Sequence, residues 1–223
     1  MSKRVVMATI LMRLSEERAT KQYDRWISLL TLGQDRRLRS YIVNEVLPRR
    51  GSVLDLGCGT GTLLIEAGRR GLRGVGIDMN ERMLDVARER SRNHNLGRRI
   101  DFQHGDVTEL KLHDDSFDLV VSTLVASELQ SDNLARFLSE ARRVAVTGGR
   151  IAIGTEGLPA GRTIGGFFSL IRGLSYRIAA KLSQLKPHPV HEIIRAMKAA
   201  GITPKYRVRF LGGLLELYVA EVR

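Results

Sequence analysis

Residues 53–61 constrain the fold of this chain more than any other stretch. Three glycines, Gly57, Gly59 and Gly61, occupy alternate positions there after an apolar run, and a second apolar run begins just after Thr62. This order predicts a buried strand, a tight turn and the start of a helix. Glycine permits positive φ and lets a ligand approach the main chain, while the helix start offers unpaired N–H groups. The stretch therefore predicts a turn that binds a nucleotide-like ligand.

Two features of the sequence distinguish between kinds of nucleotide. Dinucleotide-binding turns carry a third glycine where Thr62 stands here, and this turn has no lysine or arginine to pair with a phosphate. A second predicted strand, 74–78, ends in Asp78, at the distance of about 20 residues that suits a ribose-binding acid. A carboxylate there can accept from both ribose hydroxyls. We expect a nucleoside ligand without a pyrophosphate, and Asp78 disfavours the alternative of a plain strand–helix turn.

The size and composition of the chain are those of one soluble domain. Its 223 residues are 43% hydrophobic and 27% charged, and its longest apolar runs fall short of the roughly 20 residues of a membrane span. Residues 5–12 are too short an apolar run for a secretory signal. The single cysteine, Cys58, allows no intrachain disulfide, which fits a cytoplasmic location.

The net charge of +12 lies mostly in the two ends of the chain. Residues 1–50 and 157–223 are strongly basic, whereas 51–156 contain slightly more acids than bases. Basic ends favour an anionic partner, such as a phospholipid surface, RNA or an acidic protein. A solvated arginine-rich surface is the alternative.

Strand and helix patterns alternate after the glycine turn, which predicts an α/β fold with a parallel sheet. Helices are predicted before it at about 23–32 and 34–47. The predicted order after it is helix 62–70, strand 74–78, helix 81–94 and strand 100–104. The chain is predicted to close with helix 190–200 and strands 205–211 and 214–222, which the pair Gly212-Gly213 joins into an antiparallel hairpin.

The segment from Val53 to Thr155 resembles the S-adenosylmethionine-binding core of class I methyltransferases, in the branch that includes the quinone C-methyltransferases. The matching motifs are the glycine motif Val53 to Gly61, the ribose motif Ile77-Asp78-Met79, the adenine motif Gly105-Asp106-Val107, the fourth-strand motif Phe117 to Ser122, and Glu140 to Val144 with Gly148 to Ile153 for the following helix and fifth strand. Thr147 stands where the family usually has proline.

The resemblance implies a Rossmann-like class I methyltransferase fold within a single domain, residues 1–223. It has a seven-stranded, mostly parallel sheet with an antiparallel C-terminal hairpin. The predicted parts are an N-terminal helical cap, 1–48, the cofactor-binding core, 49–156, a basic amphipathic insertion, 157–189, and a final helix and hairpin, 190–223. S-adenosylmethionine is the implied cofactor and S-adenosylhomocysteine the product, and no metal ion is expected.

The expected cofactor contacts follow the glycine turn and the strand ends. They are Tyr23, Asp55, Gly57, Cys58, Gly59, Gly61, Asp78, Met79, Met83, Asp106, Val107, Ser122 and Thr123. Met79 either packs on the purine or belongs to the core. Asp106 can accept from the adenine amino group while the Val107 N–H donates to the ring. Tyr23, in a partly matching Tyr-Asp-x-x motif, either closes over the cofactor or packs on the core.

The catalytic candidates are Ser127 and Glu128, which follow the predicted fourth strand, together with Tyr23. Alignment and desolvation can suffice for methyl transfer from a sulfonium, so a base is not required. Glu128 either accepts a proton from the incoming nucleophile or stabilises the start of the next helix.

Residues 158–189 predict a basic amphipathic helix, with apolar residues three or four apart and no acid between Glu156 and Glu192. Over 162–186 this helix either forms a lid or an anionic membrane-surface contact that delivers an apolar substrate, or packs on the sheet. The expected location is then cytoplasmic, peripheral on the inner face of the membrane.

The expected function is methyl transfer to a small apolar or lipid-like acceptor, of quinone or phospholipid type. A methyltransferase of RNA or protein is one alternative, although the asparagine-proline-proline-aromatic string common in nucleic-acid enzymes is absent. Another is an enzyme or accessory protein that acts with a corrinoid protein. Tyr23-Asp24-Arg25, Ser127-Glu128-Leu129 and Phe210-Leu211-Gly212 resemble the methyltransferases encoded beside corrinoid proteins.

Overall fold

The computed structural model describes Asp24, Arg25, Ser28 and residues 31–157 and 190–223. In this part of the chain the strands are β1 (Ser52–Leu56), β2 (Arg73–Asp78), β3 (Ile100–His104), β4 (Phe117–Thr123), β5 (Ala145–Glu156), β6 (Pro204–Phe210) and β7 (Leu215–Glu221). The helices are α1 (Gln34–Tyr41), α2 (Thr62–Arg69), α3 (Glu81–Asn93), α4 (Ser131–Val144) and α5 (Val190–Ala199).

The strands form one seven-stranded sheet in the order β3-β2-β1-β4-β5-β7-β6. The first five strands are parallel, and β7 runs antiparallel to both of its neighbours. The predicted mostly parallel sheet with an antiparallel C-terminal hairpin is therefore confirmed. The hairpin is inserted with β7 against β5, which leaves β6 as the edge strand. The predicted cap before Asp24 and the predicted insertion 158–189 lie outside the described residues.

Apolar residues on both faces bury the centre of the sheet. In β1, Leu54 and Leu56 join the cluster that packs under α4 and α5, whereas Val53 joins the cluster under α1 and α2. Helices cover both faces, and β1 accordingly carries apolar residues toward both of them, with Asp55 as the one buried charged residue in the strand. The result is a layer of helices on each side of the sheet.

The strand order reverses at β1, which lies between β2 and β4. In open α/β sheets, ligands bind at such a reversal, beyond the carboxyl ends of the strands. Leu56, Asp78, Thr123 and Glu156 end β1, β2, β4 and β5. Because these strands are parallel, their last residues meet at one edge of the sheet, which we call the carboxyl edge.

The predicted helix 34–47 is one place where the structure differs. α1 ends at Tyr41, and the chain continues as a π-helical turn, Ile42–Val46, which the Leu47 N–H closes by donating to the Ile42 carbonyl at 2.8 Å. Leu47 is extended, as the residue before Pro48 must be. The predicted helix 23–32 falls largely outside the described residues, and the predicted bounds of the helices and strands from residue 62 onward lie within one or two residues of the observed ones.

Candidate functional site

The glycine turn connects β1 to α2 with positive φ at Gly57, Gly59 and Gly61. A Cβ on Gly57 would overlap the Val125 side chain, and one on Gly61 would overlap Phe102. For Gly59, in contrast, no atom of the described residues lies within 4 Å of the Cβ position. The turn is thus packed against protein at its two ends and open at Gly59, where a ligand can approach the main chain.

The end of β2 holds the main chain of this turn. The N–H groups of Gly57 and Cys58 donate to the Ile77 carbonyl at 2.8 and 3.1 Å. The Gly59 N–H donates to Asp78 Oδ2 at 2.8 Å, and the other oxygen, Oδ1, accepts from the Asn80 N–H at 2.8 Å. The carboxylate of Asp78 therefore lies beside the open part of the turn, as its predicted role on a ribose requires.

Asp55 lies in the middle of the sheet and is only 3% exposed. Within the described part of the chain, its Oδ1 meets no hydrogen-bond partner. Burial, and next the negative charge of Asp78, raise the pKa of Asp55 to about 7. A buried acceptor without a donor requires an explanation, and a cationic or hydrogen-donating ligand would supply the missing partner.

The residues expected at the adenine differ in exposure. Met79 is 66% exposed, so the alternative that it packs in the core is wrong. Asp106 is exposed, and its Oδ1 accepts from the Thr108 N–H and hydroxyl at 2.8 and 2.7 Å. The Val107 side chain belongs to the core, which leaves its main chain for a ligand. These placements are compatible with the predicted contacts.

Three expected cofactor contacts have their side chains turned inward. Ser122 is fully buried, and its Oγ donates to the Leu56 carbonyl at 2.7 Å, so it joins β4 to the end of β1. Met83 is buried in the first turn of α3. The Cys58 thiol packs beside Gly76, and burial raises its pKa. A contact from Cys58 would have to come from the main chain.

Thr123, the last residue of β4, differs from these three because it is only half-buried.

Ser127 and Glu128 lie in a single 3₁₀ turn, Ala126–Glu128, just beyond β4. The Ser127 hydroxyl donates to the Leu124 carbonyl at 2.8 Å, which makes it part of the turn. Burial, followed by the charges of Glu156 and Asp78, raises the pKa of Glu128 to about 7. Helix α4 begins at Ser131 and has Asp132 in its first turn. Among the described residues, no α4 N–H donates to the Glu128 carboxylate, so the helix-stabilising alternative would have to act through charge alone.

Glu156 is a residue of this edge that the sequence patterns did not single out. It ends β5, and it is the first charge that raises the pKa of Glu128. Its signal was an acid shortly after the apolar residues Ile151 to Ile153. Tyr23 and the segment 162–186 lie outside the described residues, so the predicted cofactor closure and membrane contact stay predictions. No helix in the described ranges is long and apolar enough to cross a membrane.

Glu128→Gln is expected to stabilise the protein above neutral pH. Because the folded-state pKa of about 7 exceeds the ordinary 4.5, the wild type loses stability as the pH rises through that range. Relative to the wild type, the variant should gain up to about 3 kcal/mol in unfolding free energy between pH 5 and 8. Urea unfolding at both pH values measures this. Glu109→Gln, at an exposed acid, is the control, and an equal gain in both variants would contradict the buried charge.

Comparison with known proteins gives one family match. A protein-family model described as "Methyltransferase domain" matches residues 53–149, from the first residue of the glycine motif to the middle of β5. Demethylmenaquinone methyltransferase of Clavibacter sepedonicus is 35% identical over 138 residues, 61% of this chain and 54% of that protein. The ubiquinone/menaquinone biosynthesis C-methyltransferase UbiE of Idiomarina loihiensis is 27% identical over 217 residues, 88% of this chain and 84% of that protein. The chain spans about half the length of the curated relatives that it matches first.

Solved structures share the fold. The geranyl diphosphate C-methyltransferase of Streptomyces coelicolor, solved with Mg²⁺, geranyl diphosphate and S-adenosyl-L-homocysteine, has a TM-score of 0.64 to this chain. The two are 16% identical, and the match covers 85% of this chain and 77% of the other. At that identity the likeness is one of fold alone.

Proposed function

We propose that this chain, whose residues 53–149 form a class I S-adenosylmethionine-dependent methyltransferase domain, binds S-adenosylmethionine at the carboxyl edge and methylates a small apolar acceptor of the quinone type. The family match and the fold confirm the predicted resemblance to that class. The observation that carries the proposal is the turn that is open at Gly59, with Asp78 bonded beside it. The acceptor class is supported by the names of the two relatives.

The neutral parts of the cofactor have matching groups along this edge. The Asp78 carboxylate accepts main-chain N–H groups from Gly59, Asn80 and Met79, and its remaining lone pairs would accept the ribose hydroxyls. The exposed thioether of Met79, the next residue, offers an apolar surface for the purine. Asp106 uses Oδ1 in its own turn, and Oδ2 would be the acceptor for the adenine amino group. Asp78 and Asp106 would together select an adenine nucleoside.

The charged part of the cofactor suits the acids of this edge. When bound, S-adenosylmethionine supplies a methyl group on a positively charged sulfur, and its amino-acid tail carries an ammonium. Asp55 and Glu128 each have a pKa of about 7 because burial and neighbouring carboxylates oppose their ionisation. A cation placed among them would favour the ionised forms. The acids of the edge would thus attract the ligand and be satisfied by it.

Glu128 is the side chain that we assign to proton transfer from the acceptor. General bases work best when their pKa lies near the working pH, and a value of about 7 meets that condition. Ser127 does not share this role, because its hydroxyl donates to the Leu124 carbonyl. Val125, three residues before Glu128, packs against Gly57, so the loop that carries Glu128 contacts the glycine turn.

Calorimetry with S-adenosylmethionine and a turnover assay with a demethylated quinone test the proposal. We expect a Kd in the micromolar range, as is common for enzyme ligands, and production of S-adenosylhomocysteine. Absence of binding would overturn the donor. Binding without turnover on the quinone would overturn the acceptor class. Liposomes and a corrinoid protein, added separately to the assay, test the predicted membrane surface and the predicted protein partner.

Asp55→Asn is expected to weaken the pH dependence of S-adenosylmethionine binding. In the wild type, affinity should rise as the pH approaches 7 and level off above it, because the ligand's positive charge favours ionised Asp55. One linked proton changes affinity by up to about tenfold per pH unit below the pKa. Kd values at pH 6, 7 and 8 measure the slope. Glu128 contributes to it as well, so some slope should remain in the variant; an unchanged slope would remove Asp55 from the ligand's surroundings.

A further inference from the structure

Asp24 joins three parts of the chain that are distant in sequence. Its carboxylate accepts from the Thr60 hydroxyl at 2.9 and 3.1 Å and from the Thr62 hydroxyl at 3.3 Å. The Arg90 guanidinium, from α3, forms an ion pair with it at 2.6 Å. The same Arg90 nitrogen lies 3.4 Å from the Thr60 carbonyl and 3.3 Å from the Thr62 hydroxyl. Thr60 belongs to the glycine turn and Thr62 begins α2, so this cluster fastens the turn to the chain before α1 and to α3.

Thr60 connects this cluster to the open part of the turn. It lies between Gly59 and Gly61, is 3% exposed, and directs its hydroxyl to Asp24. Its neighbour Gly59 is the residue with open space above it and with its N–H on Asp78. Without Asp24, the buried hydroxyl would keep Thr62, at 3.4 Å, as its only partner among the described residues. A substitution at Asp24 should therefore affect Gly59, the residue where a ligand can approach the main chain.

The charge of Asp24 is maintained at neutral pH. Burial opposes ionisation, but the Arg90 hydrogen bond and charge, together with Thr60, hold the pKa of Asp24 below its ordinary value. The side chains of Arg90 and Asp24 are 31% and 25% exposed, and an ion pair in that setting contributes little on its own. What distinguishes this pair is that the carboxylate also accepts from two hydroxyls of the turn and of α2.

The position of the carboxylate bears on ligand choice. The N-terminus of a helix favours negative charge, and phosphate-binding turns place a phosphate there. Here Asp24 lies against the first residue of α2 and supplies that negative charge itself. A phosphate group would meet the carboxylate of the Asp24–Arg90 ion pair at this point, and the Thr60 and Thr62 hydroxyls and the Arg90 guanidinium there already bond to that carboxylate.

We propose that Asp24, held by Arg90, is a positioning and specificity-determining residue: it fixes the turn for S-adenosylmethionine and disfavours nucleotides that carry a phosphate. The inference rests on the proposed function for its ligand. This role differs from a purely structural one in a measurable way. A residue that only stabilises the fold would affect the affinity for all adenine ligands equally.

The experiment compares S-adenosylmethionine and ADP on the full chain and on Asp24→Ala, Asp24→Asn and Arg90→Met. Asp85→Asn is the control, because Asp85 forms an exposed ion pair with Arg88 on the same helix as Arg90. In Asp24→Ala we expect S-adenosylmethionine affinity to fall about tenfold, as for a lost charged hydrogen bond, with no parallel fall for ADP. Asp24→Asn, which keeps an acceptor for Thr60, should lose less. The double variant Asp24→Asn/Arg90→Met should lose less binding free energy for S-adenosylmethionine than the two single variants lose in sum, because both substitutions remove the same interaction.

The outcomes are separable. Equal losses for both ligands in Asp24→Ala would overturn the selectivity, and no loss relative to Asp85→Asn would overturn the positioning. If the wild type bound no S-adenosylmethionine, the proposed function would fail instead. Hydrogen exchange of the ligand-free protein would still decide the positioning: the amides of 57–61 should exchange faster in Asp24→Ala than in Asp85→Asn, and equal rates would overturn it.

Discussion

Asp78→Ala is expected to lower the affinity for S-adenosylmethionine roughly 100-fold. The substitution would remove the acceptor of two ribose hydroxyls. A hydrogen bond to a charged group contributes about 1.5–3 kcal/mol. It would also release the Gly59 N–H and the Asn80 N–H, both of which it accepts at 2.8 Å. The turn would therefore lose its ligand contact and part of its own support. Calorimetry measures the affinity, and thermal unfolding measures the support.

Two further variants separate these effects. Asp78→Asn keeps the shape and one acceptor oxygen, and it should bind more tightly than the alanine variant. Asp101→Asn changes an exposed acid on the neighbouring strand β3 and should bind as the wild type does. Burial raises the pKa of Asp78, which means that its charge lowers the free energy of unfolding. Removing the charge therefore also removes this destabilising contribution. Wild-type affinity in Asp78→Ala would exclude this edge as the nucleoside site.

Gly59→Ala and Gly57→Ala are expected to fail in different ways. At Gly59 the added methyl meets no described atom, so the main penalty in stability is the φ of 53°, about 1–2 kcal/mol. The methyl would occupy the space through which the ligand reaches the main chain. We expect Gly59→Ala to fold and to lose most of its S-adenosylmethionine affinity.

Gly57→Ala is expected to lose stability of the fold itself. Its φ is 75°, and the new Cβ would overlap Val125, so backbone strain and overpacking add to about 3 kcal/mol. Urea unfolding and calorimetry on both variants distinguish the two results. Gly71→Ala is the control for the backbone penalty, since Gly71 has a φ of 88°, open space around it, and lies at the opposite end of α2. If Gly59→Ala bound as Gly71→Ala does, Gly59 would have no ligand above it.

The sheet and its order of elements were predictable because their signals are local. Apolar runs of strand length, the glycine turn and the acids at strand ends are all read within a few residues. The π-helical turn at Ile42–Val46 was not predictable in this way, since its residues continue the helical pattern of α1. The insertion of β7 between β5 and β6 also depends on pairing between distant strands.

The candidate site was predicted as a set of positions, and the structure separated those positions by side-chain direction. Ser122 and Met83 were expected at the cofactor, yet both side chains are buried, and Ser122 is committed to the Leu56 carbonyl. Met79 had two interpretations, and its exposure excludes the core. A residue's neighbours in sequence do not report which way its side chain turns once helices cover both faces of a sheet.

The sequence by itself determined the class of turn, the parallel sheet and the positions of the acids that we expect to face an adenine nucleoside. Each of these follows from residue type at short spacing, where glycine φ, apolar periodicity and carboxylate chemistry act locally. The tertiary structure alone decided the electrostatics: Glu128 has its pKa raised through burial and the charges of Glu156 and Asp78, and Asp24 meets Thr60 and Arg90. Charges interact through space, so the chemistry of the open turn at Gly59 was not fixed until the chain had folded around it.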